Sequence, residues 1–570
     1  MRYLILITSL IFIHACRQST AVSDEPIYEI DQNLTEDSAM VVSPHPLASD
    51  VGAAILAQGG NAVDAAIAVQ FAIAVVYPRA GNIGGGGFMV IRQADGSTDA
   101  LDYREKAPAA ADRDMYLDSA KNVIPALSTV GHLSTGVPGT VAGMWAAHQK
   151  YGQLDWKKLV QPAYELAKNG FQITATEADR LNYYLTAFQE YNTTESVFAA
   201  QDTFLKGFNL VQADLAATLS RIRDQGKAGF YEGETAQLLV AEMERGNGII
   251  SLQDLKAYEA KWREPISVPY KNYRLISMPP ASSGGIAVAQ MLKMIEDYPL
   301  SEYGFHSIDA IQLMTEVERR AFADRAVHLG DSDFYDVPID SLLDDKYLSK
   351  RMKDYDPMLP TPSDNLDGGE FEVLMESFET THTSIADAEG NAVSVTTTLN
   401  SNYGSKVVVG GAGFFLNNEM DDFSSKPGVP NQFGLVGAEA NAIQPGKRML
   451  SSMTPSILEK DGQLFLVLGA PGGSTIITAV FQTIVNVIEF DMDLNEAVQA
   501  GRFHHQWRPD QIWYEVGKFP LDVKDSLSAR GYDFRERQSM AKIKAIEVLP
   551  DGSLNGVGDS RNLDDDAEGF

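Results

Sequence analysis

The sequence predicts a layered α/β protein, and three observations predict it. The chain has 570 residues, 44% of them hydrophobic and 22% charged, which gives a sizeable core and excludes a disordered or collagen-like chain. Apolar helical segments alternate with β-branched stretches that read as strands, and Gly- and Pro-rich turns separate the two. The length alone suggests about four domains of ordinary size, but large layered α/β enzymes reach it as one body.

Residues 1–15, MRYLILITSLIFIHA, place Arg2 before an apolar run from Tyr3 to Ile13 and end on Ala15. This is a secretory signal, too short to span a membrane. Cys16, the sole cysteine, falls where cleavage would occur. Two readings are open there. The segment resembles a bacterial lipoprotein signal, in which the cysteine becomes the lipidated N-terminus, although His14 departs from the small or apolar residue usual before the final Ala. The other reading is an ordinary cleaved signal with a chance cysteine. Both make the protein exported, to the periplasm or cell envelope, and the first anchors it to a membrane by lipid. Residues 17–36 are polar and aperiodic, so 16–39 reads as a tether.

From Met40 the chain becomes Ala- and Gly-rich. Residues 48–59 and 62–78 read as helices, the second apolar nearly all round; Asp64 and its length mark a buried core helix rather than a membrane span. Residues 81–103 read as a glycine turn, a strand, an Asp-Gly turn and a second strand. The Gly84–Gly87 run lacks the Lys-Ser/Thr of a phosphate loop, so a tight backbone turn accounts for it better. Residues 138–260 carry amphipathic helices, among them GTVAGMWAAHQKYG and AQLLVAEMERG. SMPPASSGGIAVAQMLKMIE, 277–296, is a loop feeding a helix. Residues 354–379 hold eight acids, no bases and three prolines, and read as an exposed, mobile connector. The β-branched stretch 380–398 then reads as a hairpin turning at 388–391. Strands and glycine loops continue to about Ser474, followed by an apolar helix over 475–490.

Seventy-seven acidic against 46 basic residues give a net charge of −31, which repels phosphate backbones and excludes a nucleic-acid binder. One cysteine permits no internal disulfide and no Cys-based metal site. The nine histidines are scattered; only His504 and His505 adjoin, and they read as structural, so no metal is expected. No G-x-S-x-G or dinucleotide G-x-G-x-x-G is present, and nothing calls for a cofactor. What remains is Thr380, at the junction of the acidic connector and the hairpin. If the chain were cut before it, its hydroxyl and a new α-amine, of pKa about 7.7, would share one residue as nucleophile and base. A strand threonine chosen for β-propensity is the plain alternative.

The stretches ETTHTSIADAEGNAVSVTTTLN, LNNEMDDF, KRMLSSMTP, LGAPGGS and GRFHHQW resemble γ-glutamyltranspeptidase, of the N-terminal-nucleophile hydrolases. QGGNAVDAAIA, GNIGGGGFMV, LDYREKAP and SMPPASSGG resemble it too, so the likeness runs from about Met40 to Phe570. The resemblance implies a four-layer αββα sandwich and a precursor that cuts itself between Glu379 and Thr380. The products would be a large subunit ending at 379 and a small one, 380–570, forming a heterodimer.

It also implies roles. Thr380 is the nucleophile, Thr398 holds it, and the backbone N–H groups of Gly472 and Gly473 form the oxyanion hole. Arg104, with Ser451 and Ser452, grips the substrate α-carboxylate, while Asn400, Glu419 and Asp422 bind the α-ammonium. Residues 424–450 resemble a lid; Phe433 stands where some bacterial members have a tyrosine reaching Asn400, so gating is expected by packing alone. Taken by themselves, Arg104 would be a surface ion pair and Glu419–Asp422 an exposed acidic turn. The implied activity is an exported γ-glutamyl hydrolase and transferase, acting on glutathione and other γ-glutamyl compounds, with water, an amino acid or a dipeptide as acceptor. The alternatives are a poly-γ-glutamate depolymerase, a glutaryl or cephalosporin acylase, and a non-catalytic substrate-binding lipoprotein.

Overall fold

The computed structural model describes residues 26–366 and 380–570. The predicted signal, Cys16 and Glu379 lie outside the described residues, as does the end of the acidic connector.

Two seven-stranded antiparallel sheets face each other. One runs Asn33–Glu36, Leu554–Gly558, Lys544–Val548, Gln463–Gly469, Ser456–Lys460, Tyr273–Ser277 and Ile266–Tyr270 in spatial order. The other runs Asp566–Gly569, Met40–Ser43, Thr381–Ala386, Ala392–Thr398, Gly86–Arg92, Thr98–Asp102 and Lys261–Arg263. Helices Pro46–Ala57 and Ala62–Val76 cover the outer face of the second sheet; Gly284–Ile295 and Thr475–Glu489 cover the first, and Ile308–His328 packs on Gly284–Ile295. This is the predicted αββα sandwich.

Helix Ala62–Val76 is buried along its whole length, which is why its apolar residues show no polar stripe. Each fully buried Val, Ile or Phe contributes about 1.5–3 kcal/mol relative to exposure. Asn61 caps the helix: its side chain accepts from Asp64 N at 2.9 Å, and the Asp64 carboxylate accepts from the amides of Asn61, Gln153 and Leu154. The hairpin 381–398 is central and buried on both faces. Ile385, Val393 and Val395 pack with the helix 62–76 side, while Ser384 and Ser394 face the other sheet and donate to the carbonyls of Lys544 and Leu468, both at 3.0 Å.

The sequence reading departs from the fold in four places. The stretch read as tether contributes an edge strand, Asn33–Glu36, paired to 554–557. Its side chains are half exposed and its pairing is made by backbone, so its polarity concealed it. The front of the acidic connector is largely exposed, as expected, but is anchored at Ser363, whose hydroxyl donates to Trp507 O at 2.7 Å and whose amide donates to Asp510 at 2.8 Å. Residues 399–455 form turns and short 3-10 segments rather than strands. Gly84–Gly87 serve close approach rather than turn geometry, since a Cβ on Gly87 would lie 2.4 Å from Thr396 O. His504 and His505 are fully buried; His504 bonds Thr478 and Gln506, and His505 bonds Asp510. No cluster of metal-ligating residues occurs among the described residues, and no described helix is long and apolar enough to cross a membrane.

Candidate active site

The hairpin register sets Thr381 against Thr397, so Thr380 and Thr398 face one another at its open end. The Thr380 hydroxyl donates to Thr398 Oγ1 at 3.4 Å, and the same oxygen accepts from Asn400 N at 2.7 Å. Both threonines are nearly buried. Asn400 makes that contact from a left-handed conformation (φ 75°), which asparagine tolerates better than most residues. Behind them, Asn82 donates to Thr398 O at 2.8 Å and accepts from Gly85 N and Thr140 Oγ1. A Cβ on Gly85 would stand 2.1 Å from Thr398 O, which explains glycine next to the threonine strand.

The PGGS turn supplies the neighbouring wall. Gly472 sits at φ 141° with Ala541 Cα only 2.7 Å from where a Cβ would be, so glycine is required there. The Gly472 carbonyl accepts from Thr475 N and Oγ1, and the Gly473 carbonyl from Ile476 N. Both carbonyls thus turn towards helix Thr475–Glu489. The amides of the two glycines find no acceptor among the described residues.

One pocket is lined by Thr380, Thr398, Asn400, Arg104, Glu419, Asp422, Ser451, Ser452 and Gly473, with Phe433, Leu435, Met453 and Ile476 as its apolar wall. The structure therefore brings the described site residues singled out from the sequence into one pocket lining, Gly472 excepted. Gly472 stands one position behind the lining. The pocket is tight, about 20 Å³, whereas a cavity of about 300 Å³ bounded by Phe198, Leu215 and Val408 contains none of these residues.

Arg104 departs from the expected surface alternative, being fully buried. Its guanidinium is ion-paired to Glu419 and Asp422 and donates to Met449 O. Burial opposes its charge, and those two carboxylates more than restore it, so its pKa is raised. Burial also drives Glu419 well above the usual carboxylate range and raises Asp422. The groups assigned to the two ends of an amino-acid head group thus form one network. Glu419–Asp422 is a 3-10 turn inside the protein, not an exposed one.

The segment 424–450, expected to be a lid, is held by more than packing. Gln432 N donates to Asp421 at 3.1 Å, Asn431 Nδ2 to Asp422 at 3.2 Å, and Gln506 Nε2 to Phe433 O at 3.3 Å. Three further residues escaped the sequence reading. Glu105, fully buried beside Arg104, makes no hydrogen bond through either carboxylate oxygen, and burial pushes it up to about 7. Asn82 holds the Thr398 backbone. Arg325, on helix Ile308–His328, donates to Ser283 and Ser452. Its signal was obscured because VERRAFADR looks like a solvated face, yet Glu316, Glu318, Arg319, Arg320 and Arg325 are all buried.

A profile for gamma-glutamyltranspeptidase matches residues 48–569. The chain is 46% identical over 533 residues to the glutathione hydrolase proenzyme of Escherichia coli (strain K12), covering 93% of this chain and 92% of that protein. The fold is similar to the cephalosporin acylase of Bacillus halodurans, with a TM-score of 0.82 and 25% identity over 96% of this chain and 98% of that one. It is also similar to the γ-glutamyltranspeptidase of Helicobacter pylori, with a TM-score of 0.56 and 43% identity over 60% of this chain and 97% of that one. From its sequence match and its sandwich, the chain belongs to the γ-glutamyltranspeptidase family.

Proposed function

We propose that this chain is an exported, self-processing γ-glutamyl hydrolase and transferase acting on glutathione and related γ-glutamyl compounds. The observation that carries the reading is a single pocket lined by two unlike groups of residues. Thr380, Thr398 and Gly473 form one group, and Arg104, Glu419, Asp422, Ser451 and Ser452 the other.

In the precursor, the Thr380 hydroxyl attacks the Glu379 carbonyl carbon and the peptide C–N bond breaks, leaving an ester that water opens. The freed α-amine then serves as base. In turnover, Thr380 Oγ attacks the γ-carbonyl of the donor as its proton passes to the amine. The Gly472 and Gly473 amides hold the oxyanion, and the proton goes on to the departing amine. Water or an amino-acid or dipeptide acceptor then takes the γ-glutamyl group from the ester. Thr398, itself fixed by Asn400 N, orients the nucleophile.

The name proenzyme borne by the E. coli relative supports processing. On this reading residues 1–15 are removed, Cys16 carries the lipid, and the cleaved heterodimer is held in the cell envelope. The likeness to a cephalosporin acylase favours a second reading, a glutaryl acylase. A glutaryl group lacks an α-ammonium, however, and would bring nothing to balance the buried carboxylates of Glu419 and Asp422. The test is a chromogenic γ-glutamyl anilide offered beside its glutaryl analogue. Preference for the first supports the proposal, and preference for the second supports the acylase.

A further inference from the structure

Arg325 is buried behind Ser452, a lining residue of the pocket, with no carboxylate in ion-pairing distance among the described residues; Asp422 acts on it only through space. An isolated buried guanidinium is costly, and such a charge is retained where something balances it. Its neighbours are hydroxyls. Nε donates to Ser283 Oγ at 2.9 Å and Nη2 to Ser452 Oγ at 3.3 Å. Ser283 is fixed in turn, since its hydroxyl donates to Ser451 O at 2.6 Å and its amide donates to the same carbonyl at 2.9 Å. Ser282 donates to Met453 O at 2.6 Å. The SMPPASSGG loop therefore clamps the 451–453 segment, and Arg325 is tied to both.

We propose that Arg325 is a positioning residue for the donor α-carboxylate, aiming the Ser452 hydroxyl into the pocket and adding, from behind it, a positive charge to the one Arg104 brings. The inference rests on reading this pocket as a γ-glutamyl donor site. Because Ser452 Oγ accepts from Arg325, its own hydrogen turns away from the guanidinium, and Ser452 lines the pocket. Arg104 shares its charge with Glu419, Asp422 and, at 3.6 Å, Glu105. An amino-acid head group adds one ammonium and one carboxylate. The ammonium is matched by the acids, and the carboxylate meets Arg104, whose charge those acids already offset. Arg325 supplies a further positive charge on that side.

The test compares two anilides on purified, cleaved enzyme: γ-glutamyl anilide, and 4-aminobutyryl anilide, which keeps the ammonium but lacks the α-carboxylate. Arg325→Met is expected to raise KM for γ-glutamyl anilide about 10- to 100-fold with kcat changed far less. kcat/KM for 4-aminobutyryl anilide is expected to change less than about threefold. Arg325→Lys restores part of the charge and is expected to recover part of the KM. Should Arg325→Met not mature, Ser283→Ala is read in its place, with a several-fold KM rise confined to the substrate bearing the carboxylate. Equal losses on both anilides, or an unchanged KM, overturn the inference. Wild-type enzyme that cleaves neither anilide overturns the donor-site reading, and this one with it.

Discussion

Thr398 Oγ1 receives the Asn400 amide at 2.7 Å and stands 3.4 Å from the Thr380 hydroxyl, so a backbone N–H fixes the oxygen that faces the proposed nucleophile. Thr398→Ala removes that oxygen without touching Thr380. We expect kcat with γ-glutamyl anilide to fall by about 10²-fold, within the range for loss of a positioned proton-transfer partner. Self-cleavage should slow as well. Thr398→Ser, which keeps the hydroxyl, should recover most of both rates; a serine variant as poor as the alanine one would show that the methyl group matters rather than the hydroxyl.

Asp422 is paired to Arg104 and accepts from Asn431 Nδ2 at 3.2 Å. Asp422→Ala should lower kcat/KM for γ-glutamyl anilide by roughly 10²–10³, because removing one partner of a buried charge network strands the others. The glutaryl analogue, poor with the wild type, should lose much less. The comparison is read on folded, cleaved enzyme, and equal losses would make the carboxylate structural.

Asp421 bridges Ser128 Oγ at 2.6 Å and Gln432 N at 3.1 Å, and burial pushes its carboxyl up to about 6 from 3.8. A carboxyl whose folded pKa exceeds its unfolded one stabilises most below the unfolded value, and that contribution is lost as pH rises through the folded value. Asp421→Asn should therefore raise Tm relative to wild type at pH 7.5 but not at pH 4. The ceiling is about 3 kcal/mol, from 1.36 kcal/mol per pKa unit. Calorimetric scans at the two pH values check it, and a pH-independent gain would show that Asp421 does not titrate in this range.

Much of this was legible beforehand, for identifiable reasons. Helix 62–76 and hairpin 381–398 could be read because the first is apolar on every side and the second is β-branched between turn residues. Asn33–Glu36 could not, since an edge strand held by backbone pairing leaves no hydrophobic pattern. Within the site, Thr380 stood out by its place after the acidic connector, and the other lining residues became assignable through family resemblance. Arg104 and Glu419 looked like surface charges taken singly, because partners 315 residues apart in sequence reveal their pairing only in the fold. Arg325 and Glu105 were missed for the same reason.

Cys16 lies outside the described residues, and its proposed lipid is tested in cells. Cys16→Ser should shift the protein from the membrane pellet to the soluble fraction with unchanged specific activity, since Cys16 is no part of the proposed site. A wild type already wholly soluble after export contradicts the lipid anchor.

The central claim is that Thr380 becomes the nucleophile by a cut at its own amide. The most direct measurement is a denaturing gel of purified wild type and Thr380→Ala, with the N-terminus of the smaller wild-type band sequenced and γ-glutamyl anilide turnover recorded on both. The account predicts two wild-type bands, the smaller being residues 380–570, about one third of the chain, beginning with threonine. It predicts one uncut, inactive chain for Thr380→Ala. An uncut wild type with full activity, or a Thr380→Ala protein that is cleaved and turns over at the wild-type rate, would contradict it.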